Sequence, residues 1–315
     1  MFKRMILWLA CILSWPALGA DDVGDVVYRP AVELARLEDP RINESSGLAR
    51  CHSRDDAVWT HNDSGDSARL FLIATSGQTL GTAAIEGVQP LDWEDMCSFR
   101  HNAKNYLLVG DIGDNDQARA ELTLCVVEEP DASTIPSPAN WHLQPIALIP
   151  LQLHGGPRDC EALAVDPATG SILLAGKSLG GKCRIYQASW AWPSLPNDPA
   201  STPLATGTRS AIGVSQPLTA KHIALTDIPL ATGMDVSADG RRAVIVSYVG
   251  AYEFTRRDDE DWAAAFSRPP RVLRMPLRSQ GEAICYGADD RSLYLTSEGR
   301  SQPLWWVPAQ KPAAP

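Results

Sequence analysis

The sequence predicts an all-β fold, a β-propeller, and three observations support this prediction. A short pattern of a small or acidic residue before an apolar run recurs five times. A turn and further β-rich runs follow each recurrence, and no long segment with helical periodicity interrupts them. Three or four short antiparallel strands in each repeated unit are typical of propeller blades. We therefore predict a single domain over residues 21–308 with five blades.

The recurring pattern predicts the first strand of each blade. The stretches are "SSGLARC" from residue 45, "WEDMCSF" from 93, "CEALAVD" from 160, "ATGMDVS" from 231 and "GEAICYG" from 281. Their aligned positions are Ser46, Glu94, Glu161, Thr232 and Glu282. Second strands are predicted at residues 57–63, 105–111, 171–177, 242–248 and 292–298. Turns such as "DPATG" and "SADG" between first and second strands have the chemistry that reverses an antiparallel chain.

The last unit lacks a fourth strand, and the apolar stretch "AVELARL" (31–37) is predicted to supply it. A closing N-terminal strand of this kind removes an exposed sheet edge. Six blades are the alternative, because residues 186–231 hold nearly enough chain for another blade. The Pro-rich "PSLPNDPASTP" (193–203) within that segment favours an insertion instead.

The N-terminal residues predict export. Residues 1–20 have the layout of a secretory signal peptide, with Lys3 and Arg4 before an apolar run and small residues at its end. The apolar run is shorter than the ~20 residues that a spanning helix needs, so an uncleaved anchor is the less favoured alternative. We predict a periplasmic or extracellular protein with no membrane contact after cleavage, and a flexible tail over residues 309–315.

Charge and cysteine content limit the partners and the cross-links. The full chain has a formal net charge of -10, and removal of Lys3 and Arg4 makes it more negative. This excess of acid argues against nucleic acid as a partner. Six cysteines remain after the signal: Cys51, Cys97, Cys125, Cys160, Cys183 and Cys285. An even number in an exported chain predicts disulfides, with free buried thiols in strands as the alternative.

Acidic residues are predicted to converge at one mouth of the propeller channel. The start of each first strand and the end of each second strand lie on the same face of such a fold. Glu94, Glu161 and Glu282 are therefore expected beside the second-strand ends, which carry His61, Asp63, Asp111, Asp114, Lys177, Tyr248 and Glu298. Crowded carboxylates repel one another unless a cation, a basic residue or a shared proton compensates.

Calcium is the cation that this chemistry favours, since it takes six to eight oxygen ligands. The loops "HNDSGDS" (61–67) and "GDIGDND" (110–116) are rich in such ligands, although neither matches an EF-hand. The predicted metal ligands are Asp63, Glu94, Asp111, Asp114, Glu161 and Glu282. The alternative is that each carboxylate accepts hydrogen bonds from free backbone N–H groups of a neighbouring blade and so acts as a structural latch.

The motifs "DWEDM", "GDIGDN", "DCEALAVDPATG" and "TGMDVSADGRRAVIVSY" resemble those of a group of exported bacterial propeller proteins. That group is distantly similar to β-propeller phytases and related calcium-dependent esterase propellers. The resemblance implies calcium at mouth carboxylates and Lys177 as a phosphate contact. This chain departs from the pattern at Ser46 and Thr232, which replace acids, and it has one lysine at the mouth, which places phytate hydrolysis in doubt.

Two classes of function follow from these residues. In the first, the mouth binds calcium and hydrolyses an ester or phosphate ester, with Glu94, Glu161 and Glu282 as catalytic residues and His61, Lys177, Tyr248 and Glu298 in contact with the substrate. In the second, the same face of a monomer binds a small molecule or a protein without catalysis. Paired carboxylates also suit glycoside hydrolysis, which is the less favoured reaction.

Overall fold

The computed structural model describes residues 26–134, 138–190, 212–213 and 217–310, and for residues 212–213 only the backbone. The predicted signal segment 1–20 and residues 311–315 lie outside this part of the chain. The prediction of an all-β fold is confirmed, because the described residues form strands throughout and one helix of five residues, α1 (Trp262–Phe266). No helix of the described part is long and apolar enough to cross a membrane.

Strands are numbered β1 to β24 along the chain and form successive antiparallel sheets. The first sheet has the order β3 (Ser45–Arg50), β4 (Ala57–Asn62), β5 (Arg69–Ala74), β6 (Thr79–Ile85), with β10 (Ala139–Leu143) parallel to β6 at its outer edge.

The second sheet contains two four-stranded groups. They are β7 (Trp93–His101), β8 (Lys104–Asp111), β9 (Leu122–Glu128) and β11 (Ala147–Leu153), and β12 (Cys160–Val165), β13 (Ile172–Gly176), β14 (Cys183–Ala188) and β16 (Leu218–Thr226). Their outer strands β11 and β16 pair in parallel, which joins the groups into one sheet, and the short β15 (Ile212–Gly213) also pairs with β11.

The remaining sheets come from the C-terminal third and the N-terminus. One contains β17 (Ala231–Val236), β18 (Arg242–Ser247), β19 (Gly250–Thr255) and β20 (Arg271–Leu273). The other contains β21 (Ile284–Tyr286), β22 (Leu293–Leu295), β23 (Pro303–Val307) and the N-terminal strand β2 (Val32–Arg36), which pairs with β23. The short β1 (Val27–Tyr28) pairs with β24 (Ala309–Gln310), so the first two residues of the predicted tail lie in a strand.

The innermost strands pack against one another in a ring. β3 contacts β7, β7 contacts β12, β12 contacts β17, β17 contacts β21, and β21 returns to β3. Apolar side chains fill the space between neighbouring sheets, as where Trp59 and Leu70 of the first sheet pack with Trp93 and Val109 of the second. This ring brings the starts of five distant strands to one place.

Two buried aspartates bridge the strands of the ring. Asp95 Oδ2 accepts hydrogen bonds from the backbone N–H groups of Leu163 (2.8 Å) and Met234 (3.0 Å), which belong to β12 and β17. Asp235 Oδ2 accepts a similar bond from Tyr286 N in β21 (2.8 Å). An inner strand has no further strand to pair with on its channel side, and these carboxylates supply acceptors that buried N–H groups need. Hydrogen bonds of the latch type are thus present at Asp95 and Asp235, two residues for which the sequence did not predict this role.

The prediction of disulfides is not borne out. Among the described residues all six cysteines are free and buried: Cys51, Cys97, Cys125, Cys160, Cys183 and Cys285. They are distributed over four separate apolar clusters, where each sulfur packs as a small hydrophobic group. Burial also raises the pKa of the Cys125 and Cys183 thiols to about 12, which keeps them in the unreactive protonated form.

Candidate functional site

The aligned positions of the repeat lie at β-bulges. The pairing register shifts between Trp93 and Asp95 and between Cys160 and Ala162, which leaves Glu94 and Glu161 as the extra residues. Register shifts at Ser45/Leu48 and Ala231/Gly233 include Ser46 and Thr232 in the same way. A bulge leaves its extra residue out of the ladder and redirects the side chain. Four of the five aligned residues thus lie at bulges, where the regular alternation of side chains is interrupted. The fifth, Glu282, lies just before β21.

A chain of polar contacts links the second-strand ends to the glutamates across the mouth. The Lys177 ammonium lies 2.9 Å from Glu161 Oε2 and 3.3 Å from the Tyr248 hydroxyl oxygen. Tyr248 in turn donates to Glu282 Oε1 at 2.5 Å, and Ser46 Oγ lies 3.3 Å from Glu282 Oε2. Lys177 and Tyr248 are part-exposed, whereas Glu161 and Glu282 are buried. Residues from four sheets therefore meet, as the sequence predicts for a channel mouth.

Three carboxylates form a separate triplet at the same mouth. Single oxygen atoms of Asp63, Asp92 and Glu94 all lie within 4.8 Å of one another. Asp63 follows β4, whereas Asp92 and Glu94 flank the start of β7. Gly113 lies against this triplet, and a Cβ atom there would overlap Glu94 Oε1 and Asp92 Oδ2. The missing side chain of Gly113 leaves the space in which the two oxygens lie.

The triplet continues into Glu161. The carboxyl groups of Glu94 and Glu161 are close enough for a hydrogen bond between them. Glu161 Oε1 is buried and has no hydrogen-bond donor among the described groups. Burial, followed by the charge of Glu161, raises the pKa of Glu94 far above its usual range, and burial also raises the pKa of Glu161. Without a cation this pair therefore retains at least one proton at neutral pH.

The pKa values of neighbouring acids shift in the same direction. Burial and the charges of Asp92, Glu298 and Glu44 together raise the pKa of Asp63 to about 6, although a hydrogen bond from Ser64 N lowers it. Burial raises the pKa of Glu298 too, and so do a hydrogen bond with Glu282 and the charge of that residue. The mouth therefore holds more carboxyl groups than its one lysine, Lys177, neutralises. A bound cation would favour the ionised form of each of them.

Asp111 and Asp114 lie beside the triplet and are engaged with their own loop. Asp111 accepts from Leu91 N (2.8 Å) and from the Arg119 guanidinium (2.7 Å). Asp114 accepts from Ala118 N (2.8 Å) and Arg119 N. These bonds hold the loop that carries Gly113. The structure does not bring either carboxylate into the triplet, so their predicted role as metal ligands has no support from this geometry.

His61, which the sequence suggests as a substrate contact, lies below the mouth. Its ring is fully buried, Nδ1 lies 2.8 Å from Asn62 O, and the ring packs edge-on against Trp93. Nε2 has no hydrogen-bond partner among the described residues. Burial lowers the pKa of His61 to about 4, so the ring is neutral at neutral pH. Glu298 is half-buried at the mouth, where its carboxylate accepts from Gln280 Nε2.

Asp92 and Gly113 belong to the site but were not among the residues expected from the sequence. Asp92 stands in "DWEDMC", where the repeat drew attention to Glu94, and Gly113 stands inside "GDIGDN". A glycine between two acidic residues in a loop is a weak signal by itself. The role of Gly113 becomes apparent only in the structure, where β7 and the loop after β8 lie side by side.

Comparison with known proteins found similarity only to solved structures. No family model and no curated protein matches the sequence. A gluconolactonase from Xanthomonas campestris is 13% identical, with 92% of this chain and 99% of that chain covered and a TM-score of 0.42. The periplasmic gluconolactonase of Pseudomonas aeruginosa is 15% identical over 84% of this chain and 72% of that chain, with a TM-score of 0.38.

A third similar structure is the β-propeller domain of Cps50 (Swd1) from Myceliophteria thermophila. It is 10% identical over 80% of this chain and 66% of that chain, with a TM-score of 0.39. At these TM-scores the likeness says nothing about activity or ligand. The resemblance to phytases and calcium-dependent esterases stays a prediction.

Proposed function

We propose that this chain is an exported five-bladed β-propeller, closed by β2, whose mouth binds calcium and hydrolyses an ester or phosphate ester. The blade count is supported by the ring of five inner strands, and the closure by the pairing of β2 with β23. The single observation that carries the function is the convergence of Asp63, Asp92 and Glu94 oxygens at the mouth. The signal-like residues 1–20 support export.

The donor set fits a hard cation. Carboxylate oxygens are the ligands that calcium prefers, and calcium accepts irregular geometry with waters completing the shell. Asp63, Asp92 and Glu94 would hold it, and Glu161 Oε1, which has no donor, lies beside Glu94. Gly113 supplies room that any larger residue would fill. A bound calcium would polarise an ester or phosphoryl oxygen and lower the pKa of a coordinated water.

The neighbouring side chains have roles that do not require the cation. Lys177 holds Glu161 in place and, being part-exposed, can donate to an anionic oxygen of the substrate. Tyr248 is fixed by Glu282 at 2.5 Å, which leaves its ring and oxygen facing the ammonium of Lys177. Because Tyr248 donates its proton to Glu282, Lys177 is the cationic donor in this part of the mouth. A substrate oxygen between Lys177 and the proposed calcium would meet positive charge from both.

Thermal unfolding tests the cation. We expect calcium to raise the melting temperature of EDTA-treated protein, because a ligand at 100 times its Kd stabilises the folded state by about 2.7 kcal/mol. Glu94→Gln should lose most of this rise, whereas Glu86→Gln, a change at an exposed glutamate, should keep it. Terbium emission excited through tryptophan gives a second readout, since Trp93 adjoins Glu94. Melting that is unaffected by calcium in the wild type would discard the cation site.

The pH dependence of stability without metal gives an independent prediction. Asp63 has its pKa raised from 3.8 to about 6, so the folded state binds a proton more tightly than the unfolded state. That contribution is present below pH 3.8 and is lost as the pH rises through about 6. In EDTA we expect the melting temperature to fall over this window, and Asp63→Asn should flatten the fall. An equally steep profile in that variant would contradict the assignment.

A panel of esters and phosphate esters separates an enzyme from a binding protein. If the mouth is catalytic, Glu161→Gln should lower kcat by roughly 100-fold or more, in the range that a positioned acid or base contributes. Lys177→Met should mainly raise KM for anionic substrates. Undiminished turnover in Glu161→Gln would remove this residue from the site. A wild type that binds calcium but hydrolyses nothing in the panel would favour the alternative, a non-catalytic binding propeller.

A further inference from the structure

Four exposed apolar side chains surround the mouth. They are Leu91 (71% exposed), Leu179 (91%), Val249 (67%) and Leu277 (fully exposed). Each belongs to a different loop: before β7, after β13, after β18 and before β21. A large apolar side chain in water has an unfavourable hydration free energy, and several on one face indicate an interaction surface. We name these four residues the apolar rim.

Contacts of the four loops place the apolar rim at the acidic mouth. Leu91 N donates to Asp111, beside the triplet. Leu179 lies two residues after Lys177, and Val249 directly follows Tyr248, whose hydroxyl donates to Glu282. Leu277 precedes Arg278, whose guanidinium lies over Gly281. The four rim residues therefore lie in loops that adjoin the charged residues of the mouth.

The opposite face of the described ring has no such residues. The hairpin loops between first and second strands contain no exposed large hydrophobic side chain, and these loops are residues 51–56, 102–103, 166–171, 237–241 and 287–292. The other exposed large hydrophobics of the described chain lie on strands, namely Val27, Val32, Leu34, Leu225 and Val272. Exposed apolar residues in described loops are thus confined to the mouth.

Charge determines which partner fits. Inside the rim lie the triplet, Glu161, Asp111 and the carboxyl pair of Glu282 and Glu298, and the cations beside these seven carboxyl groups are Lys177, Arg119 and Arg278. The whole chain is acidic as well, with a formal net charge of -10. A partner with an acidic surface would be repelled, and an anionic membrane likewise. The complementary ligand carries positive charge at its centre and apolar groups around it.

We propose that the mouth docks a basic, amphipathic segment of a partner protein, with Lys or Arg directed at the carboxyl groups and apolar side chains against the rim. Four separate loops contribute the rim, so an occupant that touches all of them is larger than a single small molecule. The docking surface does not depend on the proposed calcium site or on hydrolysis. Glu298, which is half-buried, provides an acceptor for a cationic side chain apart from the triplet.

Binding of defined peptides tests this surface. The probes are a synthetic amphipathic Lys/Leu peptide, a Glu/Leu peptide and a Lys/Ser peptide, measured by fluorescence anisotropy at low salt with calcium and with EDTA. We expect the Lys/Leu peptide to bind most tightly and to weaken as salt screens the charges. Leu179→Ser with Leu277→Ser should weaken binding by at least about tenfold, since each leucine loses apolar contact.

The control variants remove equally exposed residues elsewhere. Val272, on the outer strand β20, is 68% exposed, which matches Val249 at 67%. Val249→Ser should weaken binding and Val272→Ser should not. Equal loss in both, equal binding of the Glu/Leu peptide, or failure of the Lys/Leu peptide to bind would overturn the proposal. Rim-dependent binding only to zwitterionic lipid vesicles would overturn it in favour of a membrane. None of these outcomes changes the interpretation of the calcium experiments, which test the metal site separately.

Discussion

Asp95→Ala is expected to lower the free energy of unfolding by about 3 to 6 kcal/mol. Asp95 is fully buried, and its carboxylate accepts from the N–H groups of Met96, Leu163 and Met234. Alanine would leave these donors without a partner, and each unsatisfied buried donor costs about 1–3 kcal/mol. The loss affects three inner strands at once, β7, β12 and β17, so the ring itself is weakened.

Urea unfolding measures this loss. Asp116→Ala, at an exposed loop position, serves as the control and should change the unfolding free energy by less than about 0.5 kcal/mol. Asp235→Ala should fall between the two, because Asp235 accepts from two N–H groups, Val236 and Tyr286. If Asp95→Ala unfolds with the same midpoint as the control, the carboxylate does not bridge the strands as described.

The sequence places the first strands well because their apolar runs repeat. Strands at Ser45–Arg50, Trp93–His101 and Cys160–Val165 begin within a residue of the predicted stretches. The second strands also begin within a residue of the predicted positions, but the fifth unit is shorter than predicted, with β21 at Ile284–Tyr286 and β22 at Leu293–Leu295. Such local signals need no knowledge of distant contacts.

The roles of adjacent acids could not be read from the sequence. Glu94 and Asp95 stand side by side, yet Glu94 faces the mouth and Asp95 bridges inner strands. Adjacent residues of a strand face opposite sides, and the bulge between Trp93 and Asp95 determines which of the two reaches the mouth. The alternation of residues along the sequence does not show where a bulge lies, so the structural latch was expected at Glu94.

The predicted metal ligands likewise could not be sorted from other acidic residues by sequence alone. Asp111 and Asp114 have the residue type that calcium prefers, but nearby backbone N–H groups and Arg119 occupy their oxygens. Local hydrogen bonds of this kind are the usual role of Asp in loops. His61 lies within β4 and is buried, whereas Asp63 follows the end of β4 and reaches the triplet. Strand alternation alone would place these two residues on the same side.

Gly113→Ala is expected to weaken calcium binding by about 10- to 100-fold, the range in which groups that support metal ligands act. The added Cβ would overlap Glu94 Oε1 and Asp92 Oδ2, so both oxygens must move from their positions. Both are ends of side chains, and Gly113 does not have positive φ. The fold should therefore tolerate alanine, and melting in EDTA should change little.

Calorimetric titration of calcium into Gly113→Ala measures the effect, with Gly250→Ala as the matched control. Gly250 begins β19, directly after Val249 in the loop at the mouth, and the nearest atom to its added Cβ is 3.8 Å away, which is ordinary contact. Because neither substitution removes a carboxylate, the net charge of the mouth is the same in both variants. A difference in affinity would then report the spacing of Glu94 and Asp92 oxygens rather than general electrostatic attraction. Equal calcium affinity in the two variants would show that the cation binds elsewhere or that only overall negative charge attracts it.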